Sequence, residues 1–474
     1  MRISSTAVTV LLFMLALTTT LYGQDRLAGN WKGAIEIQGT ELTIITHFSM
    51  ADDSLTGTLD IPQQGAQGLP FKNISTIAPD SVYFDFFAGM GMAEFRGAFK
   101  NDTTIGGTFH QSGQSFPFEI NKQKNVSVSA SKEDAPPSYN RKELLIQNDS
   151  VAIGGTLTWP KDTTTQHLVI MISGSGPQDR DATLTPVSDF KPFAVLADSL
   201  TMNNIATFRY DDRGIGQSSG NFGDTTLDML ASDVEAIIEN LTAMPQHSFE
   251  NIILLGHSQG GIVAGKVASE NQKVDQIILM GSTGVPLKEV LRFQIKQAFA
   301  GSGVDSVLLE KEITAREQLM EAIRDQKGVQ QSKEHYHKKF KAIQIAAGAD
   351  TTQAEKLADR QTKQLEASFR SPQMQSLLFY DPAQDLQKLD IPVLVLFGSK
   401  DTQVPIAMNK KPIKSALDSA DVSYQIWEFK QANHLFQKAK TGSAREYGSL
   451  EKQFVYPFTS RISSWIKKDL VRDK

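Results

Sequence analysis

Two patterns of apolar and polar positions divide the chain. From residue 25 to about 123, short runs such as Leu42–Met50, Ser54–Ile61, Ser81–Phe87 and Ala93–Phe99 are rich in β-branched and aromatic residues. Gly, Asn and Asp punctuate them at roughly eight- to twelve-residue intervals, the spacing of a sandwich or barrel. A small all-β domain is therefore predicted over residues 25–123, with Trp31 and the Phe residues as its candidate interior.

Residues 124–139 are polar, rich in Ser and carry a Pro pair, which reads as a linker. From about residue 140 to the end the pattern changes. Strand-length apolar runs (His167–Ser173, Ile205–Tyr210, Asn251–Leu255, Gln276–Met280, Ile391–Phe397 and Val422–Phe429) alternate with helix-length amphipathic segments. Continuous apolar strands alternating with helices predict a mostly parallel sheet covered on both faces, in an α/β fold. Leu144–Pro160 reads as an antiparallel hairpin that opens this domain. About 110 residues separate Met280 from Ile391, far more than the dozen or so a crossover needs. Leu287–Phe299, Val307–Gln326 and Thr352–Leu378 show helical periodicity, so a helical lid is predicted at about 285–380. Placed after a sheet strand, it would lie over the strands' C-terminal edge and wall an acyl pocket.

The first residues add a location. Met1-Arg2, the apolar run Val8–Leu17 and the end near Gly23 have the order of a secretory signal peptide, residues 1–23. The run is too short to span a bilayer. A secreted or periplasmic protein is expected, with no membrane span in its mature form. The 48 Lys+Arg against 53 Asp+Glu give a net charge of −5, which argues against a nucleic-acid partner. The chain contains no Cys, which removes disulfides, thiolate nucleophiles and Cys-ligated metal sites together.

Candidate chemistry centres on Gly256-His257-Ser258-Gln259-Gly260-Gly261, between the strand Asn251–Leu255 and the helix-compatible run Ile262–Glu270. Gly-x-Ser-x-Gly between strand and helix is the nucleophile elbow. Its sharp turn needs small residues two before and two after the serine, and the helix N-terminus directs positive charge at the reacting centre. Ser258 is the predicted nucleophile. Behind such an elbow the chain order is serine, acid, histidine. Asp401 lies in the turn after Ile391–Phe397, whereas the rivals Asp381, Asp385 and Asp390 precede that strand. Of the eight His, only His434 follows Asp401, so elimination names it as the base. Taken singly, Asp401 could cap the helix near Ile406 and His434 could be a loop residue. His257 beside the nucleophile reads as packing. His335 and His337, two apart on a helix, face different ways, so no metal constellation is expected. The oxyanion hole should take one backbone N–H from Gln259 and a second from Gly174-Ser175-Gly176, with Ser175 preferred and Gly174 or Gly176 as alternatives. Asp179, Arg180 and Asp181 either bind substrate or brace that loop; bracing is favoured.

On these residues, over roughly 144–470, the sequence resembles the α/β-hydrolase superfamily. Tyr210-Asp211-Asp212-Arg213-Gly214-Ile215-Gly216-Gln217-Ser218 is similar to its D-x-R-G-x-G-x-S stretch, and Gly398-Ser399-Lys400-Asp401 to its G-x-x-D turn. The loop at 174–181 resembles a narrower group, secreted or two-domain bacterial esterases related to serine aminopeptidases and S9 peptidases. One departure is Ser173-Gly174, where His-Gly is usual. The resemblance implies hydrolysis of small carboxylic esters through an acyl-enzyme, without a cofactor or metal. A peptidase, an acyltransferase and a non-catalytic binding protein are the competing functions, and oligomeric state stays open. In the β-rich domain, Gly29-Asn30-Trp31 is similar to the opening of lipocalin-like barrels, leaving either a small-ligand site or plain core packing.

Overall fold

The computed structural model describes residues 26–123 and 139–468, apart from 38–39, 52–53, 62–65, 77–79, 88–91, 112–113, 162, 184–187, 189 and 300–302. The expected signal peptide and nearly all of the linker lie outside the described residues. The chain forms two compact units, one of residues 1–136 with 184–189 and the other of residues 137–183 and 190–474.

The first unit is a closed barrel of eight strands: β1 (Gly29–Ile37), β2 (Thr40–Ala51), β3 (Ser54–Ile61), β4 (Ala66–Ser75), β5 (Ser81–Phe87), β6 (Met92–Asn101), β7 (Thr104–Gln111) and β8 (Gln114–Lys122). Each pairs antiparallel with its chain neighbour, and β1 closes on β8 with Trp31 opposite Lys122. Side chains two apart along a strand share a face. Hence Trp31 and Ile35, Phe84 and Phe86, and Phe118 and Ile120 all turn inward and are buried. Their rings fill the interior. Phe95 lies 4.6 Å from Phe84, 4.7 Å from Phe109 and 5.0 Å from Phe118, centroid to centroid. Of the two architectures open to the sequence, the barrel is the one adopted, and its described interior is packed aromatic core.

The second unit is an eight-stranded sheet in the order β16-β15-β14-β13-β11-β12-β10-β9. The hairpin β9 (Tyr139–Asn148) and β10 (Val151–Pro160) forms one antiparallel edge. β9 begins five residues earlier than the apolar pattern suggested, because Tyr139–Glu143 is a mostly polar edge segment. The parallel strands are β11 (His167–Ile172), β12 (Ala206–Tyr210), β13 (Asn251–His257), β14 (Gln276–Met280), β15 (Val393–Gly398) and β16 (Tyr424–Phe429). All residues of β12, β14 and β15 are buried, as expected of strands covered on both faces.

After the helices α1 (Pro192–Met202), α2 (Leu227–Thr242) and α3 (Gln259–Glu270) of this unit, the helical insertion lies between β14 and β15: α4 (Leu287–Ala298), α5 (Ser306–Arg324), α6 (Val329–Ala346), α7 (Thr351–Arg370) and α8 (Pro372–Leu377). The expected single helix 352–378 is two, broken at Ser371-Pro372, where the proline ring cannot continue the preceding helix. The sequence places His335 and His337 of α6 on a helix but gives no amphipathic segment there. The helix buries only Tyr336 and Ile343, too few apolar positions to register as periodic. The insertion carries its own apolar cluster, with Leu319, Tyr336, Leu365 and Phe369 at its centre.

Candidate active site

β13 ends at His257 and the next helix, α3 (Gln259–Glu270), starts at Gln259, so the whole reversal falls on Ser258. Its backbone sits at φ 53, ψ −119, a region costly for any residue with a Cβ. The surroundings enforce it. A Cβ on Gly256 would lie 2.2 Å from the Gly260 carbonyl oxygen, and one on Gly260 would lie 2.3 Å from that of Ile172. Only glycine fits at either place, which is the physical content of the Gly-x-Ser-x-Gly spacing. The Ser258 N–H donates to the Met280 carbonyl at 2.9 Å, locking the turn to β14.

Asp401 follows β15 and His434 follows β16, both buried at the same ends of the parallel strands as Ser258. His434 Nδ1 lies 2.7 Å from Asp401 Oδ2. The other carboxylate oxygen, Oδ1, accepts from the backbone N–H of Gln403 and of Val404, each at 2.8 Å. Asp401 is thus fixed by two backbone donors and presents its remaining oxygen to the imidazole. With Nδ1–H donating to it, Nε2 is the ring's free acceptor. The histidine loop is held by Asn433, whose Oδ1 accepts from Leu435 N at 3.0 Å and Gln437 N at 2.8 Å. Gly281, next to the Met280 that holds Ser258, approaches the pair: its Cβ position is 3.5 Å from His434 Nδ1 and 3.6 Å from Asp401 Oδ2. The elbow, the acid and the histidine therefore converge. The rival Asp385 lies elsewhere, held by Tyr380 and Lys388.

His257 takes a role the sequence did not supply. Its Nε2 is 3.1 Å from the His434 carbonyl oxygen, so that nitrogen carries the hydrogen, and the two rings lie 4.7 Å apart. Burial, aided by the nearby His434, pushes its pKa down to about 3. It is a neutral tie between the elbow and the histidine loop.

The candidate oxyanion segments flank the elbow. Gln259 opens α3, and the N–H groups of a helix's first turn have no intrahelical acceptor. Gly174 is buried against the serine, its Cβ position 3.3 Å from Ser258 Cβ. Ser175 follows, exposed, with its carbonyl accepting from Gln178 Nε2 at 3.1 Å. The charged residues beyond are engaged within the fold. Asp179 accepts from the Thr183 N–H at 2.9 Å, Arg180 donates to Asp211 Oδ2 at 2.5 Å and pairs with Glu143, and Asp181 pairs with Arg209.

Asp211 and Asp212, adjacent in sequence, have opposite environments. Burial raises Asp211, but bonds from Arg180 and from the Gln217 and Arg180 amides outweigh it and hold this carboxyl below its usual range. Asp212 has no cation against it among the described residues, and burial pushes it up to about 7.

Among the described residues, one cluster has metal-compatible side chains: His337 Nε2 lies 3.0 Å from Asp359 and 3.7 Å from Glu355, and Lys341 also pairs with Glu355. It is a polar seam between α6 and α7, and His335 is not part of it.

A family model described as serine aminopeptidase, S33, matches residues 189–436. Esterase EstD of Thermotoga maritima is 23% identical over 338 residues, spanning 70% of this chain and 69% of that protein. Among solved structures, the Pyrococcus furiosus esterase Pf2001 is 13% identical with a TM-score of 0.42, covering 70% of this chain and 91% of its own. Est1E of Butyrivibrio proteoclasticus, solved with ferulic acid, is 14% identical with a TM-score of 0.37, covering 68% and 96%. Matched by its family model over more than half of its length, with the sheet order and strand–turn–helix elbow described above, the chain belongs to the serine aminopeptidase S33 family of α/β-hydrolases.

Proposed function

We propose that the chain is a serine esterase that cleaves small carboxylic esters through an acyl-enzyme on Ser258. The observation that carries this is the buried His434–Asp401 pair, 2.7 Å apart, converging with a serine held at positive φ on a strand–helix elbow. His434 Nε2 takes the Ser258 proton as Oγ attacks the ester carbonyl. The resulting oxyanion is met by the N–H of Gln259 and by that of Ser175, at the N-terminus of a helix. Collapse expels the alkoxide, which leaves as the alcohol with the proton from His434. Water, deprotonated by the same imidazole, then attacks the acyl-enzyme and releases the acid and free Ser258. Asp401 stays ionised and fixes the imidazole tautomer. The helical insertion supplies the acyl wall. Its first helix reaches the acid turn, where Gln294 Nε2 donates to the Gln403 carbonyl at 3.2 Å. In this reading the protein is secreted or periplasmic, on the strength of residues 1–23.

The family description favours a second reading, an aminopeptidase. A panel of p-nitrophenyl esters and aminoacyl anilides separates the two on the mature chain. Ester turnover without anilide turnover is expected. Anilide turnover of comparable kcat/KM would replace the proposal with the peptidase. Inertness to both, with no fluorophosphonate labelling, would leave a binding protein on a hydrolase fold.

A further inference from the structure

The Ser173–Gln178 loop contains two glycines, Gly174 and Gly176, the latter at φ +86, and no regular secondary structure. Such a segment has many conformations open to it, so a fixed shape must be imposed from outside. One side chain imposes it at both ends. Asp212 Oδ1 accepts from Ser173 Oγ at 2.9 Å, and Oδ2 accepts from the Gln178 N–H at 2.8 Å. The Asp212 N–H in turn donates to the Gln178 carbonyl at 3.0 Å. Asp212 is 3% exposed and shares a small cavity with Ser173, Gly174 and Gln259, the last two belonging to the two candidate oxyanion segments.

We propose that Asp212 is a positioning residue for catalysis: as a carboxylate it clamps the Ser173–Gln178 loop in the shape that brings its backbone N–H groups to Ser258, and on protonation it loosens that hold. The proposal rests on the serine-hydrolase reading of the site and deepens it. Asp212 occupies the variable position of the D-x-R-G-x-G-x-S stretch, so the clamp is a property of this chain's own residue. Hydrogen bonds to an ionised acceptor are roughly twice as strong as neutral ones. A proton on Oδ2 removes the acceptor facing the Gln178 N–H, and a proton on Oδ1 makes that oxygen donate to Ser173 Oγ instead of accepting; either way the charge-assisted bonds become neutral, weaker ones and the loop is held less firmly.

The charges around Asp212 leave that change within reach. Asp211 and Asp233 face it, but Arg180 neutralises the first and Arg213 the second. Tyr210 on β12 also faces it, with its pKa raised by burial and by the two acids Asp212 and Asp233. From the helices Leu227–Thr242 and α3, and from the turn at Phe222, the cavity receives Leu230, Val263, Phe222 and the neutral Gln259. Among the described residues no cation pairs with Asp212, and burial carries its titration to about 7.

The test compares wild type with Asp212→Asn in full pH profiles of ester hydrolysis. Protonation of the clamp should make the acid limb of log kcat/KM steeper in the wild type than in the Asn variant, by a limiting slope of about 1. The variant's kcat at pH 8 should fall about 10-fold or more with KM nearly unchanged, because an oxyanion donor acts chiefly in the transition state. Ser173→Ala removes one bond to the carboxylate, so it should lower kcat less and move the upper step of the acid limb to higher pH. It serves also if the Asn variant does not fold. Wild-type kcat and an unshifted profile in either variant overturn the proposal. Amide exchange at Gln178, measured at one pH in both proteins, gives a readout independent of turnover. Faster exchange in Asp212→Asn is expected, and equal protection overturns the clamp. Persistence of full turnover in Ser258→Ala would instead overturn the hydrolase reading itself, so the two failures are distinguishable.

Discussion

The barrel and the parallel sheet bury apolar surface in opposite ways. In the barrel each strand turns every second residue inward, and the interior is closed by aromatic rings such as Phe84, Phe95 and Phe118. In the sheet, β12, β14 and β15 are buried along their whole length, because helices cover both faces. The second arrangement leaves the strand ends as the open place for chemistry, and there the candidates gather: Ser258, Asp401 and His434 each follow a parallel strand at the same edge. The barrel offers no equivalent edge to its own interior. Each of its strands pairs antiparallel with its chain neighbours, so successive strand ends alternate between the two rims.

The sharpest way to break this contrast is to remove the proposed nucleophile. Ser258→Ala should lower kcat by on the order of 10⁵–10⁶ without changing the unfolding transition. Ester kinetics and mass spectrometry of the fluorophosphonate adduct check it. A label on a serine of the barrel would move the chemistry to the other unit.

The matching cut in the barrel is Phe95→Ala. Phe95 packs against four other rings and is fully buried, so truncation should cost about 3–5 kcal/mol. For a unit of this size that lowers the midpoint of its transition by about 10 °C or more. Calorimetry should show that loss, with ester kcat/KM unchanged below the transition. A parallel fall in activity would mean that the barrel serves the site directly.

Charge burial gives the third comparison. Asp212 has a folded-state pKa raised to about 7 by burial, above its ordinary carboxylate value. An acid shifted upward contributes stability that is complete below its unfolded pKa, near ~3.9, and lost as pH rises through about 7. Asp212→Asn keeps a neutral group at every pH. It should therefore unfold at higher temperature than wild type at pH 8, by on the order of 2–4 kcal/mol, and match it at pH 4. Thermal melts at the two pH values decide it. Greater stability with lower kcat in one variant would mark a charge retained for catalysis at the expense of the fold.

These contrasts also explain what the chain's residues disclosed before any coordinates. Ser54–Ile61, Ser81–Phe87 and Gln276–Met280 were legible to the residue, because their apolar periods and flanking turns are local signals. The elbow was legible because its steric demands act between residues two apart. The Asp401 and His434 positions followed from chain order and a short supply of histidines. The extent of helix α6 beyond His335 and His337 was not legible, since its burial comes down to Tyr336 and Ile343. Nor was the clamp. Asp212 meets Ser173 and Gln178 across more than 30 residues, and nothing local distinguishes it from Asp211, which pairs with Arg180 instead. The one sequence clue was two adjacent acids with a single basic neighbour, Arg213.

The smallest expected effect concerns a buried polar group in the barrel, the counterpart of Asp212. Thr46 is fully buried between Trp31 and Leu59 in the strand register, and its Oγ1 has no hydrogen-bond partner among the described residues. A hydroxyl that leaves water without gaining a partner costs about 1–3 kcal/mol. Valine has the same branched shape with a methyl in place of the hydroxyl, so Thr46→Val should raise barrel stability by about 1 kcal/mol in a urea titration, with the m-value unchanged. Asp212 accepts two bonds where Thr46 makes none. If the interior of the barrel is simply packed core, its orphan hydroxyl is dispensable and the valine variant is the more stable. Destabilisation instead would mean that Oγ1 meets a polar partner inside the barrel. The barrel would then be a ligand-holding interior rather than an aromatic core, and the contrast between the two units would fail at that residue.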